Sequence, residues 1–217
     1  MNATTDIQSI AYCYNKTVDG YAEKFSDELK KKTFERVYFE AFADKVGTGT
    51  KPLLDVGCGI GHISKYLADF GFRIVGIDLS PRMIEKAKAL YPGILFETSD
   101  MRAMHFPDGS FSGVLSLYSI IHFDYQTIAE VFKEINRVLV SGGSFLLSFH
   151  IGNEVITHKE FLGEAVNIDL HLLEVERIRE LLVANDFKVI EVIERYPNPE
   201  IEYPSKRAYV LATKVLI

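Results

Sequence analysis

A chain of 217 residues that is 47% apolar and 25% charged suits one sizeable globular domain, able to bury a core without metal ions or disulfides. Its net charge of -6, with acids and bases interspersed, speaks against a nucleic-acid binder or a polybasic membrane binder. Only two cysteines (Cys13 and Cys58), no apolar run of membrane-spanning length and an opening, MNATTDIQSI, without signal-peptide regions lead to the expectation of a reduced, cytoplasmic protein.

The first ten residues are polar and expected to be loose. Tyr14, Val18, Tyr21 and Phe25 then recur at helical spacing, and a second stripe follows at Phe34, Val37, Tyr38, Ala41 and Phe42. GTGTKP, residues 47–52, breaks the pattern as a linker. Beyond it, short apolar runs at 53–56, 74–77, 94–96, 113–117 and 144–149 read as buried parallel strands with helical segments between them. SPRMIEKAKAL has Ser80 as N-cap and Pro81 at its first helical position. YQTIAEVFKEINRVL puts Ile128, Val131, Phe132, Ile135, Val138 and Leu139 on one face and is expected to stop at the glycines of SGG, 141–143. Residues 151–173 look irregular, and a helix through Val175, Ile178, Leu181 and Leu182 comes next. Apolar runs at 187–195 and 207–215 have no crossover helix between them and should pair antiparallel.

This alternation predicts a doubly wound, Rossmann-like α/β fold: a mostly parallel seven-stranded sheet with an antiparallel C-terminal strand, plus N-terminal helices. The expected organisation is a single domain over 1–217. It divides into an N-terminal helical lid (1–50), a cofactor-binding core (51–150), a substrate-side insert (151–173) and a helix with a C-terminal hairpin (174–217).

Strand 53–56 runs into Asp55-Val-Gly57-Cys-Gly59-Ile-Gly61. Glycines permit a tight turn and let backbone approach a ligand, and the helix that follows opens with free N–H groups aimed at it. A dinucleotide loop wants G-x-G-x-x-G, with a pyrophosphate at the helix N-terminus. Here the third glycine comes one residue early and Asp55 sits inside the turn. A carboxylate repels a diphosphate and attracts an amino group, so the loop suits an ammonium-bearing cofactor better.

D-x-G-x-G-x-G resembles the first motif of class I S-adenosylmethionine-dependent methyltransferases, and four further motifs follow in that family's order: RIVGIDLS, FETSDMRAM, FSGVLSLYSIIHF and RVLVSGGSFLLSFH. The resemblance covers residues 12 to 217 and implies S-adenosyl-L-methionine as cofactor, with S-adenosyl-L-homocysteine as product. It implies that Asp55, Gly57 and Gly59 line the methionine end, with Cys58 and His62 beside them and Gly61 in close helix packing. Asp78 would hold the ribose, Leu79, Ser80 and Met83 the adenine face, and Ser99, Asp100 and Met101 the adenine border. Leu117, Tyr118 and Ser119 would sit near the sulfonium, and Tyr14 and Tyr21 would belong to the helical lid. Simple packing explains Tyr14 and Tyr21 equally well, and an acid such as Asp100 also caps turns.

His122 and His150 follow the fourth and fifth strands, at the carboxyl edge where doubly wound folds bind ligands, and are the candidate catalytic bases. No histidine grouping has metal-ligand spacing, so no metal is expected. The asparagine-proline-proline-aromatic motif that the family uses on flipped bases is absent, LYSI standing there, which points to a small-molecule methyl acceptor and away from nucleic acid or membrane. A monomer or homodimer is expected. Competing readings are a non-catalytic S-adenosylmethionine-binding protein, a nicotinamide-dependent oxidoreductase, and aminopropyl transfer from the decarboxylated cofactor, which would want a more acidic fourth-strand motif.

Overall fold

The computed structural model describes residues 7–47, 49 and 51–216. Its elements run α1 (Ile7–Phe25), α2 (Thr33–Val46), β1 (Leu53–Val56), α3 (His62–Asp69), β2 (Ile74–Asp78), α4 (Pro81–Leu90), β3 (Leu95–Thr98), β4 (Phe111–Leu117), α5 (Tyr125–Val138), β5 (Leu139–His150), β6 (Val155–Phe161), β7 (Glu164–His171), α6 (Val175–Ala184), β8 (Phe187–Arg195) and β9 (Arg207–Lys214). A 3-10 turn at Glu28–Lys30 joins the first two helices. The expectation of a loose start lies outside the described residues for 1–6 and fails for 7–10, which already belong to α1.

Seven strands form one sheet in the order β3-β2-β1-β4-β5-β9-β8. All neighbours from β3 to β5 are parallel, and β9 is antiparallel to both β5 and β8. The doubly wound fold with one antiparallel strand near an edge is therefore the observed one. Alternation along β1 sends Leu53 and Leu54 to opposite faces. On one face Phe39, Phe42 and Leu67 of α2 and α3 pack with Leu53, Leu115, Leu146 and Tyr209. On the other, Ile128, Phe132 and Ile135 of α5 and Ile178 and Leu182 of α6 cover Leu54, Val114, Phe145 and Val210. Fully burying side chains of this size is worth about 1.5–3 kcal/mol each, so these two layers hold the sheet rigid beneath its carboxyl edge.

Several local expectations change. In α2 the buried face is Glu35, Tyr38, Phe39, Phe42 and Ala43, while Val37 is exposed; the helix lies on the sheet face, so only α1 roofs the carboxyl edge. Helix α5 ends at Val138, and β5 begins at once; the SGG glycines lie inside β5, where Gly143 has no room for a Cβ, 2.9 Å from the Val140 carbonyl. Residues 151–173 are no irregular insert but a β-hairpin, β6–β7, turning through Leu162 (φ 51) and Gly163 (φ 79), both left-handed as a two-residue hairpin of the twisted kind requires.

The strand order reverses between β1 and β4, and that switch point is where an open α/β sheet leaves a crevice beyond its carboxyl ends. Helix α1 crosses above it, packed on α4 and β7. Lys16 Nζ donates to the Ala165 carbonyl at 3.1 Å, Asp19 pairs with Lys86 at 2.7 Å, and a Cβ on Gly20 would sit 3.3 Å from Leu162 Cβ.

Candidate functional site

The floor of the crevice is the turn after β1. Gly57, Gly59 and Gly61 have φ of 73, 54 and 78°, so all three need the left-handed region that glycine enters freely. A Cβ on Gly57 would lie 2.3 Å from Ser119 Cβ, and one on Gly61 2.5 Å from the Phe96 ring; Gly59 faces the Tyr21 ring with ordinary room, 3.5 Å. Two carboxylates meet here. Asp55 is buried and accepts from Ser64 Oγ at 2.6 Å; burial pushes its pKa up to about 6 against that hydrogen bond, and Asp78 adds to the rise. Asp78, at the end of β2, accepts from the Gly59 N–H at 2.9 Å and the Ser80 N–H at 2.8 Å, and burial raises it as well. Among the described residues no cation forms an ion pair with either. A ligand bringing an ammonium group and hydroxyls satisfies such a pair, whereas a diphosphate would be repelled by it.

The remaining expected contacts divide. Ser80 caps α4 through Met83 N–H at 3.1 Å and donates to Asn15 of α1 at 2.8 Å, while Met83 is wholly buried with Val18 and Ile60 under α1. Leu79 and Met101 are half-buried beside the core, and Ser99 donates its N–H to the Asp78 carbonyl at 3.0 Å. Asp100 is held by Arg102, Nη2 to Oδ2 2.7 Å; burial acts to raise its carboxyl, but the Arg102 hydrogen bonds prevail and hold it below the usual range. Cys58 is buried, its thiol pushed up by burial and by Asp55. His62 Nε2 donates to Glu28 Oε1 at 2.9 Å, and its Nδ1 is buried without a partner among the described residues.

The roof is tied to the floor through Tyr14. Its hydroxyl lies 2.8 Å from His122 Nε2, and His122 Nδ1 lies 2.7 Å from the Asp169 carbonyl of β7. A carbonyl only accepts, so Nδ1 carries the proton and Nε2 accepts from Tyr14. Burial lowers the His122 pKa to about 4. His150 stacks at 4.9 Å on Tyr118, lies 2.6 Å from Ser205 Oγ, and is lowered to about 3 by burial and then by Arg207 and Lys32. Both imidazoles are neutral at physiological pH, and both are poor proton acceptors. This weakens the expectation that either serves as the catalytic base.

Tyr118, at the tip of β4, has φ 52°, a strained value for a non-glycine residue. Its hydroxyl meets Tyr209 at 2.8 Å, and Arg207 lies 5.8 Å over its ring. Next to it, Leu117 ends β4 and Ser119 Oγ pairs with Ser116 at 2.6 Å.

Residues 54–147 match the profile of the methyltransferase domain family. The matched stretch runs from β1 into β5 and takes in the glycine turn and Asp78, and over it the chain is similar to methyltransferases. Among curated proteins, the chain is 37% identical over 119 residues to 2-methyl-6-phytyl-1,4-hydroquinone methyltransferase of Synechocystis sp., covering 51% of the chain and 37% of that protein. It is 33% identical over 162 residues to phosphoethanolamine N-methyltransferase 1 of Arabidopsis thaliana, covering 64% of the chain and 33% of that protein. The chain thus spans about a third of the length of these two relatives. A solved S-adenosylmethionine-dependent methyltransferase from Methanosarcina mazei has the same fold, with a TM-score of 0.70 at 18% identity, covering 78% of this chain and 96% of that one.

Sequence reasoning missed the polar groups behind the crevice: Glu35, Arg195, Glu202, Arg207 and Tyr209. A signal was present for some of them. Glu35, Tyr38, Phe39 and Phe42 share one helical face, so a carboxylate stands on an apolar stripe. Arg207 and Tyr209 alternate onto one face of β9, in a strand that is otherwise apolar.

Proposed function

We propose that this protein transfers a methyl group from S-adenosylmethionine to a small-molecule acceptor bound under α1 and the β6–β7 hairpin. The observation that carries the reading is the pair of raised carboxylates without a cation partner, Asp55 of β1 and Asp78 at the end of β2, beside a three-glycine turn at the switch point. When bound, the cofactor supplies a methyl on a sulfonium; the acceptor's lone pair forms the new bond to carbon while the carbon–sulfur pair returns to sulfur, leaving S-adenosylhomocysteine. Asp55 faces the ammonium end, and ionisation of its carboxyl is restored by that positive charge. Asp78, fixed by two backbone N–H groups, has lone pairs left for the ribose hydroxyls. Gly59 and Tyr21 flank the methionine end, and Leu79, Ser99 and Met101 border the adenine. Asp100 serves the adenine amino group only through the oxygen capacity that Arg102 leaves it. Tyr14 and His122 close the roof and exclude water, and the enzyme's main work is to align acceptor and methyl.

The curated relatives act on a hydroquinone and on phosphoethanolamine, both small molecules, which supports an acceptor of that size. The acidic net charge of -6 supports the exclusion of nucleic acid, and two free cysteines suit a reducing cytoplasm. The test is release of S-adenosylhomocysteine with a panel of small acceptors, comparing wild type with Asp78→Ala. Turnover by wild type and a loss of about a hundredfold in kcat/KM for the variant are expected, a carboxylate hydrogen-bonding two hydroxyls being worth about 3 kcal/mol. Absence of release from every acceptor contradicts the reading.

A further inference from the structure

Behind Tyr118 lies a closed circuit of buried polar groups. Tyr118 meets the Tyr209 hydroxyl at 2.8 Å, and Tyr209 meets Glu35. Glu35 pairs with Arg195, Arg195 with Glu202 at 2.6 Å, and Glu202 with Arg207 at 2.9 Å. Arg207 returns to the Tyr118 ring, 5.8 Å from its centroid. Glu35, Arg207 and Tyr209 are 4, 2 and 0% exposed. A buried ion-pair network of this kind is weak evidence for stability, because desolvation offsets the attraction, so its place beside the crevice calls for another explanation.

The directions of its hydrogen bonds supply one. Glu35, paired with Arg195, is a carboxylate and only accepts, so Tyr209 donates to it. Arg195 also donates to the Tyr209 oxygen, at 3.1 Å. Tyr209 has no second proton, so the bond between the two phenols can only run from Tyr118 to Tyr209. The lone pairs on its oxygen are then the only hydrogen-bonding capacity that Tyr118 has to offer the crevice.

We propose that Glu35 and Tyr209 are positioning residues that hold Tyr118 as a one-way hydrogen-bond acceptor, so that the methyl acceptor is a nucleophile still carrying a hydrogen, a hydroxyl or an uncharged N–H. That hydrogen donates to Tyr118 and aims a lone pair of the same atom elsewhere. On methylation the proton leaves the nucleophile for the Tyr118 oxygen, the bonding pair staying on the nucleophile. The Tyr118 proton moves to Tyr209 and the Tyr209 proton to Glu35, which ends as the carboxylic acid and returns its proton to solvent on the partly exposed Arg195 side. Each phenol gains one proton and loses one. Neither His122 nor His150 is needed as the base.

The inference rests on the methyl-transfer reading, and the test separates the two. Calorimetry with S-adenosylhomocysteine on wild type, Tyr118→Phe and Tyr209→Phe is expected to give one common Kd; no binding by wild type overturns the methyl-transfer reading. S-adenosylhomocysteine release is then followed with phenol and aniline, which carry the hydrogen, and with thiophenol and N,N-dimethylaniline, which at neutral pH do not. Wild type is expected to turn over the first pair, with kcat falling about a hundredfold in both variants at unchanged KM and with loss of the solvent deuterium isotope effect. Variants at wild-type kcat, or wild-type turnover confined to the second pair, overturn the proposal. Neutron diffraction from deuterated protein reads the same string without an acceptor, and decides the matter if none of the four probes turns over or a variant fails to fold. Deuterons are expected on Tyr118 toward Tyr209 and on Tyr209 toward Glu35, and a Tyr118 deuteron pointing away from Tyr209 overturns the proposal.

Discussion

At the scale of single residues, burial has made the ionisable groups of the crevice unusual in opposite senses. His122 and His150 are lowered from 6.5 to about 4 and about 3, so the unfolded chain binds their protons more tightly than the folded one does. Their contribution to stability is therefore full above about pH 6.5 and is lost as pH falls from there toward the folded values. Asp55, raised to about 6, works in the other direction between about pH 4 and 6, since there the folded state holds the extra proton. Asp78 is raised as well, but His171 is lowered along with the two crevice histidines, and unfolding free energy is expected to rise with pH across that window. In His150→Asn the slope should fall by about one proton, ~1.4 kcal/mol per pH unit, as read from urea melts at a series of pH values. An unchanged slope would show that His150 is protonated in the folded protein. The histidines were visible in the sequence as carboxyl-edge residues, but their neutrality was not. It comes from burial first, and for His150 then from Arg207 and Lys32, which the fold brings in from far along the chain.

Among the elements, the glycine turn was the most legible, because three alternate glycines permit a tight turn and close backbone approach and a carboxylate stands at its root. The structure adds different reasons for each glycine, and these separate in mutation. Gly57→Ala would drive a methyl into Ser119 at 2.3 Å and is expected to cost about 3 kcal/mol of stability, measured by thermal or urea melts. Gly59→Ala has room, 3.5 Å from Tyr21, and should cost only the left-handed strain of about 1–2 kcal/mol. It nevertheless narrows the space between turn and Tyr21, so S-adenosylhomocysteine binding should weaken in Gly59→Ala by more than its melting behaviour suggests. Equal destabilisation of the two variants would contradict this account of the turn. The β6–β7 hairpin was not read, although Val166, Ile168 and Leu170 alternate with polar residues at a strand's period of two. Its turn is Leu-Gly, and a leucine at φ 51° gives no turn signal in a sequence, so the segment passed for an irregular loop. The end of α5 misled for the converse reason: SGG has the composition of a helix exit, and tertiary pairing with β4 instead draws those glycines into β5.

For the molecule as a whole, the strand order explains why residues so distant in sequence share one crevice. Parallel strands point every carboxyl end the same way, and the reversal between β1 and β4 opens a crevice above the closely packed turns that carry Gly57 and Ser119. Into that crevice the chain brings an N-terminal helix from one side and a hairpin from the other, closed by Tyr14, His122 and the Asp169 carbonyl. The fold class was legible because hydrophobic periodicity reports on elements and their alternation. The buried circuit from Glu35 to Arg207 was not, because it joins α2, β8 and β9 through contacts that no local pattern encodes. The central claim is that two carboxylates without a cation partner beside the glycine turn, Asp55 and Asp78, select an ammonium-bearing, ribose-bearing cofactor over a diphosphate. Parallel calorimetric titrations of the wild-type protein with S-adenosylhomocysteine and with NADH test it most directly. The account predicts binding of S-adenosylhomocysteine at about micromolar Kd and no heat from NADH; binding of NADH with none of S-adenosylhomocysteine would contradict it.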